Sequence, residues 1–310
     1  METKEFIKYM EIKGFAPITQ KLYLTNAQRF FKWAKVQAEQ VTKPDILRYL
    51  EYLKNKKGVQ NRTRQIHLYS INHYFKHLYK EAEIDKNPCN FLKLRGVQVK
   101  KLYNLYTGEE LSELYDNYYN FYIRNFQTCK FFGKGTEEYI KMKRARNLVA
   151  IGIMVYQGTL ASELKNIRLE DINLQKGTIK ITSSKRAKER ILSLNAAQIG
   201  SLIDYLQNIK PKLEVICKTN EYENFLFSTE NQTFETDIIK NIVKQIKQID
   251  RKFKSFSQIR TSVITNWLKT NGLRKTQYLA GHRSIGCTER YKPNNLENLI
   301  DDINNMHPFN

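Results

Sequence analysis

The chain has 310 residues, 27% of them charged, and carries 52 Lys and Arg against 31 Asp and Glu, a formal charge of +21. That balance excludes the near-neutral surface of an ordinary metabolic enzyme. It makes nucleic acid the first partner to consider, because each phosphate neutralised releases counterions; a lysine-rich composition from an AT-rich genome is the bland alternative. The length allows two domains with ample cores. Cys89, Cys129, Cys217 and Cys287 are scattered without a C-x-x-C pair, which argues against a zinc site or a disulfide framework and for reduced, intracellular thiols. The start at Met1 has no apolar run after it, and no stretch is long enough to span a bilayer. The expectation is a soluble, cytoplasmic protein with no membrane partner.

Residues 3 to 94 read as amphipathic helices. Phe6, Ile7, Met10 and Phe15 form a first apolar face that ends at Gly14 and Pro17. Leu22, Ala27, Phe30, Phe31 and Ala34 mark a second helix. Thr42-Lys43-Pro44-Asp45 is a capped start for a third, carrying Ile46, Leu47, Leu50 and Leu53. A fourth carries Ile66, Tyr69, Ile71, Tyr74, Phe75 and Leu78, and Asn87-Pro88 closes the unit. Up to Arg95 this segment holds 19 Lys and Arg against 9 Asp and Glu, so positive charge is concentrated at the amino end. Arg62 and Arg64, opening the fourth helix, suit phosphate contacts that position a duplex, although for any single cation a solvated helical face is the commoner role.

Arg95, Gly96, Lys100 and Lys101 lie in a stretch of little periodicity that reads as a basic linker, also suited to phosphates. Thr107-Gly108-Glu109-Glu110 begins another helix, and residues 121–143 are irregular, with Phe131, Phe132, Gly133 and Gly135 in a loop or hairpin. Leu148 to Tyr156 is nearly all apolar and must be a buried helix, stopped by Gly158. Ala161-Ser162-Glu163-Leu164 opens the next. Residues 171–174, 178–182 and 190–194 alternate as three short antiparallel strands, and the second turn holds Lys185, Arg186 and Lys188 at its tip. Helices over 196–206 and 238–249 follow an equally simple apolar pattern, with an extended segment at 222–228 between them.

The most informative stretch runs from Ser255 to Tyr291. Ile259, Val263 and Trp267 recur every four residues and face a core, which places Arg260 off that stripe, one turn beyond Ser257. Asn271-Gly272 ends this helix, Gly281 breaks the following segment so that His282 sits at a turn, and Tyr291 comes nine residues later on the next helical segment. An arginine, a histidine and a tyrosine gathered in this way are the material of a phosphate-handling site. Past Tyr291, Leu296, Leu299, Ile300 and Ile303 form an apolar stripe on a tail segment, for which folding back on its own domain is the commoner outcome.

This order resembles the tyrosine recombinase, or phage integrase, family, whose pattern is His-x-x-Arg, then Gly-His, then a tyrosine nine residues on. Arg260, His282 and Tyr291 match, and Ser257 stands where the pattern has histidine. Earlier in the family comes Gly-x-Arg-x-x-Glu-Leu; aligned on Gly158, Glu163 and Leu164, its arginine position is Leu160. Leucine cannot donate to a phosphate. Arg186, Arg190, Arg168 and Lys165 are the cations near enough in the chain to take its place.

The resemblance implies a mainly α, two-domain DNA clamp. Its parts would be a helical core-binding domain over 1–95, a basic linker over 96–106, and a mainly helical catalytic domain over 107–310 with a small antiparallel β-sheet and a tail helix exchanged between protomers. It implies a site-specific recombinase or integrase of a bacterial mobile element acting on double-stranded DNA as a homotetramer, with accessory DNA-bending proteins as optional partners and no metal or cofactor. Tyr291 would form a 3′-phosphotyrosyl link and Arg260 would clamp the phosphate. His282 would support the phosphate or assist Tyr291, and Lys185, or failing it Lys188, would protonate the leaving group. A DNA-binding architectural relative with little catalysis, or a type IB topoisomerase-like nicking-closing enzyme, are the rival readings.

Overall fold

The computed structural model describes residues 3–96, 104–125, 136–184, 187–217, 224–227, 234 and 238–292. The chain divides into two compact units, Met1–Lys101 and Leu102–Asn310.

The amino-terminal unit is built from α1 (Thr3–Ile12), α2 (Pro17–Ala34), α3 (Lys43–Asn55) and α4 (Asn61–Lys80). Pro17 at the start of α2 and a capping box of Thr42 with Asp45 at α3 set two of the helix beginnings, the Thr42 N–H donating to Asp45 at 2.8 Å. Phe6, Met10, Phe30, Ile46, Ile71 and Phe75 are fully enclosed, and edge-on aromatic pairs such as Phe6–Tyr74 and Phe30–Tyr49 fill the space between helices. Asn87 caps the closing turn by accepting the Cys89 N–H at 2.8 Å. Three residues expected on the apolar faces, Leu22, Leu47 and Tyr69, lie outward at nearly half exposure, because a single large side chain at the margin of a helical stripe costs little in water.

Arg64 corrects another expectation. It is buried, with Nε donating to Leu50 O at 2.8 Å and Nη1 to Asn61 Oδ1 at 2.7 Å, so its charge ties α4 to the end of α3 and is withdrawn from any duplex. Arg62 and Arg95 are exposed. Lys100 and Lys101 lie outside the described residues.

The carboxy-terminal unit begins earlier than the expected linker end. Tyr106 belongs to it, its N–H donating to Ser262 Oγ at 3.0 Å and its hydroxyl to Asp250 at 2.7 Å. After α5 (Gly108–Tyr119), opened by a Thr107–Glu110 capping box, the chain makes a π turn over Asn120–Arg124. α6 (Glu137–Gln157) starts well before the apolar run, so Glu137 to Lys143 is helix rather than loop; Thr136 caps it. Phe131, Phe132, Gly133 and Gly135 lie outside the described residues. Leu148 to Val155 of α6 are buried on every side, which is why their pattern shows no polar face.

Gly158 ends α6 in a left-handed conformation (φ 55°), and a short helix α7 (Ala161–Leu164) follows. The antiparallel sheet has the order β1 (Ile172–Asn173), β2 (Thr178–Ile181), β3 (Arg190–Ser193), with Ile179 opposite both Ile172 and Leu192. Phe225 bridges to Arg168 beside it. α8 (Ala196–Asp204), a π turn, α9 (Lys210–Cys217) and α10 (Lys240–Ile249) add Leu202, Tyr205, Leu213, Ile242 and Ile246 to the same core. α11 (Phe256–Ala280) is broken at Gly272 (φ 70°, ψ 176°), as the Asn-Gly pair suggests, and α12 (Ile285–Glu289) follows the Gly281 turn. Among the described residues no helix is long and apolar enough to cross a membrane.

Candidate active site

Three connections converge on one cleft of the carboxy-terminal unit. Gly158 and Leu160 lie between α6 and α7, the β2–β3 hairpin comes from the sheet, and α11 with its following turn supplies Arg260, His282 and Tyr291. Ile259 and Val263 pack into the core as their spacing requires, and Val263 lies directly under Gly158. Arg260 is also buried, at 7% exposure, contrary to its expected place off the stripe. Its long side chain runs into the cleft, where Nη1 donates to Gly158 O and Nη2 to Ala280 O at 2.7 Å. The guanidinium thus satisfies two carbonyls at helix ends, where partial negative charge accumulates.

His282 stands on the Gly281 turn. Its N–H donates to Gln277 O at 3.0 Å, Nδ1 contacts Thr288 Oγ1 at 2.8 Å, and its ring stacks on Tyr291 with centroids 5.6 Å apart at 18°. Tyr291 follows α12 in a turn, its N–H donating to Thr288 O at 3.0 Å, rather than on a helix. The hairpin is tied to the same turn. The Lys188 N–H donates to Gly281 O at 2.8 Å, Ala187 pairs with His282 in a β-bridge, and Arg283 Nη2 donates to Ser184 O at 2.8 Å. Lys185 and Arg186 lie outside the described residues; Lys188 is exposed.

Glu163 is the residue that sequence reading used only as an alignment point. It is 4% exposed and accepts from Arg190 Nη1 and Nη2, both at 2.9 Å, and from the Leu160 N–H at 2.8 Å, while Arg260 Nη1 lies at 3.6 Å. No local pattern signals this pairing, because Arg190 and Glu163 lie 27 residues apart and meet only in the fold.

The cations considered as replacements at Leu160 separate accordingly. Arg190 reaches the cleft but is held by Glu163. Arg168 pairs with Glu170 at 3.4 Å and stacks over Phe225, and Lys165 is exposed. Ser257 is exposed on the first turn of α11.

The electrostatics follow from burial beside two guanidinium groups. Burial, then the charges of Arg260 and Arg190, hold the His282 imidazole down at about 4 against the opposing pull of Glu163, so it is neutral at pH 7. Burial pushes the Tyr291 phenol above its ordinary range, and the facing Arg260 draws it part of the way back. Burial would also raise Glu163, but the hydrogen bonds and charge of Arg190, the Leu160 N–H and Arg260 outweigh it and keep the carboxylate ionised. Burial lowers Arg260 despite Glu163, which leaves a desolvated cation that an anion would restore. A groove lined by Thr265, Leu268, Leu273, Tyr291 and Lys292 opens beside the phenol.

Metal-ligand spacing occurs elsewhere: Glu5, His77 and Glu83 of the amino-terminal unit offer atoms within 4.8 Å of one another.

A tyrosine, a neutral histidine and a desolvated arginine thus lie together in this cleft. Residues 134–297 match the phage integrase family, and residues 3–84 match the phage integrase N-terminal SAM-like domain. The chain belongs to the phage integrase family. It is 24% identical to tyrosine recombinase XerC of Thermodesulfovibrio yellowstonii, over 98% of this chain and 95% of that one. Its fold is that of the Tn1549 transposon integrase solved with a circular intermediate DNA (TM-score 0.64, 17% identity, 93% of this chain and 94% of the other). It also matches a lambda integrase tetramer bound to a Holliday junction (TM-score 0.59, 16% identity, 91% and 76%).

Proposed function

We propose that this chain is a site-specific DNA recombinase of a bacterial mobile element, with Tyr291 as nucleophile. The observation that carries the reading is the Arg260–His282–Tyr291 cluster, assembled from the two ends of α11 and the turn after α12 around a buried guanidinium.

A phosphodiester resists attack because its charge repels nucleophiles and its alkoxide leaves poorly, so a cation must hold the phosphate and an acid must protonate the departing oxygen. Arg260 serves as the cation, exchanging its Gly158 and Ala280 carbonyls for phosphate oxygens as DNA enters. Thr288 occupies Nδ1 of His282, so Nε2 is the nitrogen left to donate to the phosphate or to take the phenol proton. Tyr291 attacks phosphorus, the 3′-phosphotyrosyl bond forms, and the 5′-hydroxyl departs with a proton from Lys185. The covalent bond conserves the energy of the broken one, so a 5′-hydroxyl of another strand can reverse the step without a nucleotide. Lys188, whose N–H is tied to Gly281 O on the His282 turn, is the fallback for this role.

The helical amino-terminal unit serves as the second half of a clamp on the duplex, with Arg62 and Arg95 on phosphates. Lys100 and Lys101 extend that contact along the linker. Four copies on paired sites, as in the integrase tetramer, carry out the exchange in the cytoplasm, with accessory DNA-bending proteins where the site requires them.

The test is incubation of wild type and Tyr291→Phe with nicked suicide duplexes from the DNA flanking the gene, followed by a denaturing gel. An adduct with wild type alone is expected. Specific binding with no adduct would favour an architectural protein, and site-independent plasmid relaxation would favour a nicking-closing enzyme.

A further inference from the structure

Arg190 carries the consequence of Leu160. Its side chain is 0% exposed, yet it is a cation on a strand of four residues, and no apolar packing requires it there. Both terminal nitrogens grip the two Glu163 oxygens at 2.9 Å, and Nη1 also lies 3.5 Å from Lys188 O. The Gly281 turn rests directly on this guanidinium: a Cβ at Gly281 would come within 2.6 Å of Nη1 and 3.1 Å of Cζ. Arg190 therefore touches the beginning of α7, the hairpin and the turn that presents His282, which are the three connections that make the cleft.

We propose that Arg190 is a positioning residue for strand transfer: by occupying Glu163 and supporting the Gly281 turn, it leaves Arg260 free to take the phosphate and sets His282 against Tyr291. The proposal rests on the strand-transfer reading above. Its physical basis is competition for one carboxylate. Glu163 has a fork-to-fork pair with Arg190 and only a looser approach, 3.6 Å, to Arg260. Removal of Arg190 leaves a buried anion whose nearest cation is Arg260, and the two would close on each other. Arg260 would then be neutralised at the moment a phosphate needs its charge. With Arg190 present the three groups sum to one positive charge, and Arg260 keeps it on the cleft side. Arg190 does not itself contact DNA while it is enclosed, so it does not replace the arginine missing at Leu160. It keeps Arg260 available to the phosphate.

The experiment uses the full chain with Arg190→Met and Arg190→Lys. The groups facing His282 are Arg260 of α11, Arg190 of β3, Glu163 of α7 and the Tyr291 phenol, so loss of the Arg190 charge leaves Glu163 less opposed. NMR titration of the His282 ring in Arg190→Met is expected to move upward from about 4. Adduct formation on the suicide duplex, at saturating DNA, should fall by about a hundredfold, the usual effect of a misplaced catalytic group, with duplex affinity changed by less than about threefold. Lysine keeps the charge without the fork and should recover about tenfold of that loss.

An unshifted titration with wild-type adduct rates overturns the proposal. So does equal activity of the lysine and methionine variants, which would mean that only the fold had been disturbed. Should Arg190→Met fail to fold, wild type and Arg190→Lys carry the comparison, and equal rates with equal titrations overturn it. Absence of adduct from wild type itself would strike the strand-transfer reading, and the His282 titration would still report on what Arg190 holds in place.

Discussion

In the proposed phosphate site Leu160 removes a donor, whereas Ser257 keeps a hydroxyl that can still donate. Arg260 is desolvated and bonded to two carbonyls, and on the proposed mechanism an incoming phosphate would take their place. Restoring a guanidinium by Leu160→Arg adds a donor at the start of α7 beside Glu163. It should raise the adduct rate by about tenfold or more in single-turnover assays, since one oxyanion-type donor is commonly worth about a hundredfold. Gly281 is constrained twice, by φ 68° and by the absence of room for a Cβ above Arg190 and Lys188 O. Gly281→Ala should cost about 2 kcal/mol or more in urea denaturation and weaken cleavage as the His282 turn is displaced.

The helices are well specified at their ends, and the ends are what place the site. α6 is buried for two turns and must terminate where Arg260 reaches its last carbonyls; Gly158 does this with φ 55° while Val263 of α11 packs 2.9 Å from where its Cβ would be. α5 begins on a capping box in which the Glu110 N–H donates to Thr107 Oγ1 and Glu110 also pairs with Lys252 at 2.6 Å. Thr107→Ala should lower stability by about 1 kcal/mol, read from the denaturation midpoint, and leave the adduct rate unchanged because α5 does not border the cleft.

The molecule's charge and its buried ion groups act at different distances. In the proposed function the exposed cations of the amino-terminal unit, Arg62 and Arg95 among them, would act through screened phosphate contacts. Replacing both by alanine should reduce the slope of log affinity against log salt by about 2 while leaving sequence preference intact. The buried groups set the acid limit of the fold. His282 has a folded value of about 4 against 6.5 when free, so the unfolded chain binds more protons between those values and stability rises with pH across that window. Glu163, held below its ordinary 4.5, adds stability that is present above that pH and is lost as pH falls through its lowered value. Unfolding midpoints should therefore decline from about pH 6.5 downward, and His282→Gln should flatten the upper part of that decline.

Much of this was legible locally. Capping boxes, the α6 apolar run, the strand alternation and the Gly-His spacing are short-range patterns, and short-range sterics and hydrogen bonding decide them whatever the rest of the chain does. Arg260, His282 and Tyr291 could be singled out because they sit on one such pattern. What the tertiary structure decided is the fate of each charge. Arg64 and Arg190 read like solvated cations in sequence, yet they are buried against carbonyl and carboxylate partners 14 and 27 residues away. Whether a guanidinium faces a phosphate or a glutamate depends on which segments meet in space. The cost of leaving a buried charge unpaired enforces the outcome, and no periodicity along the chain records it.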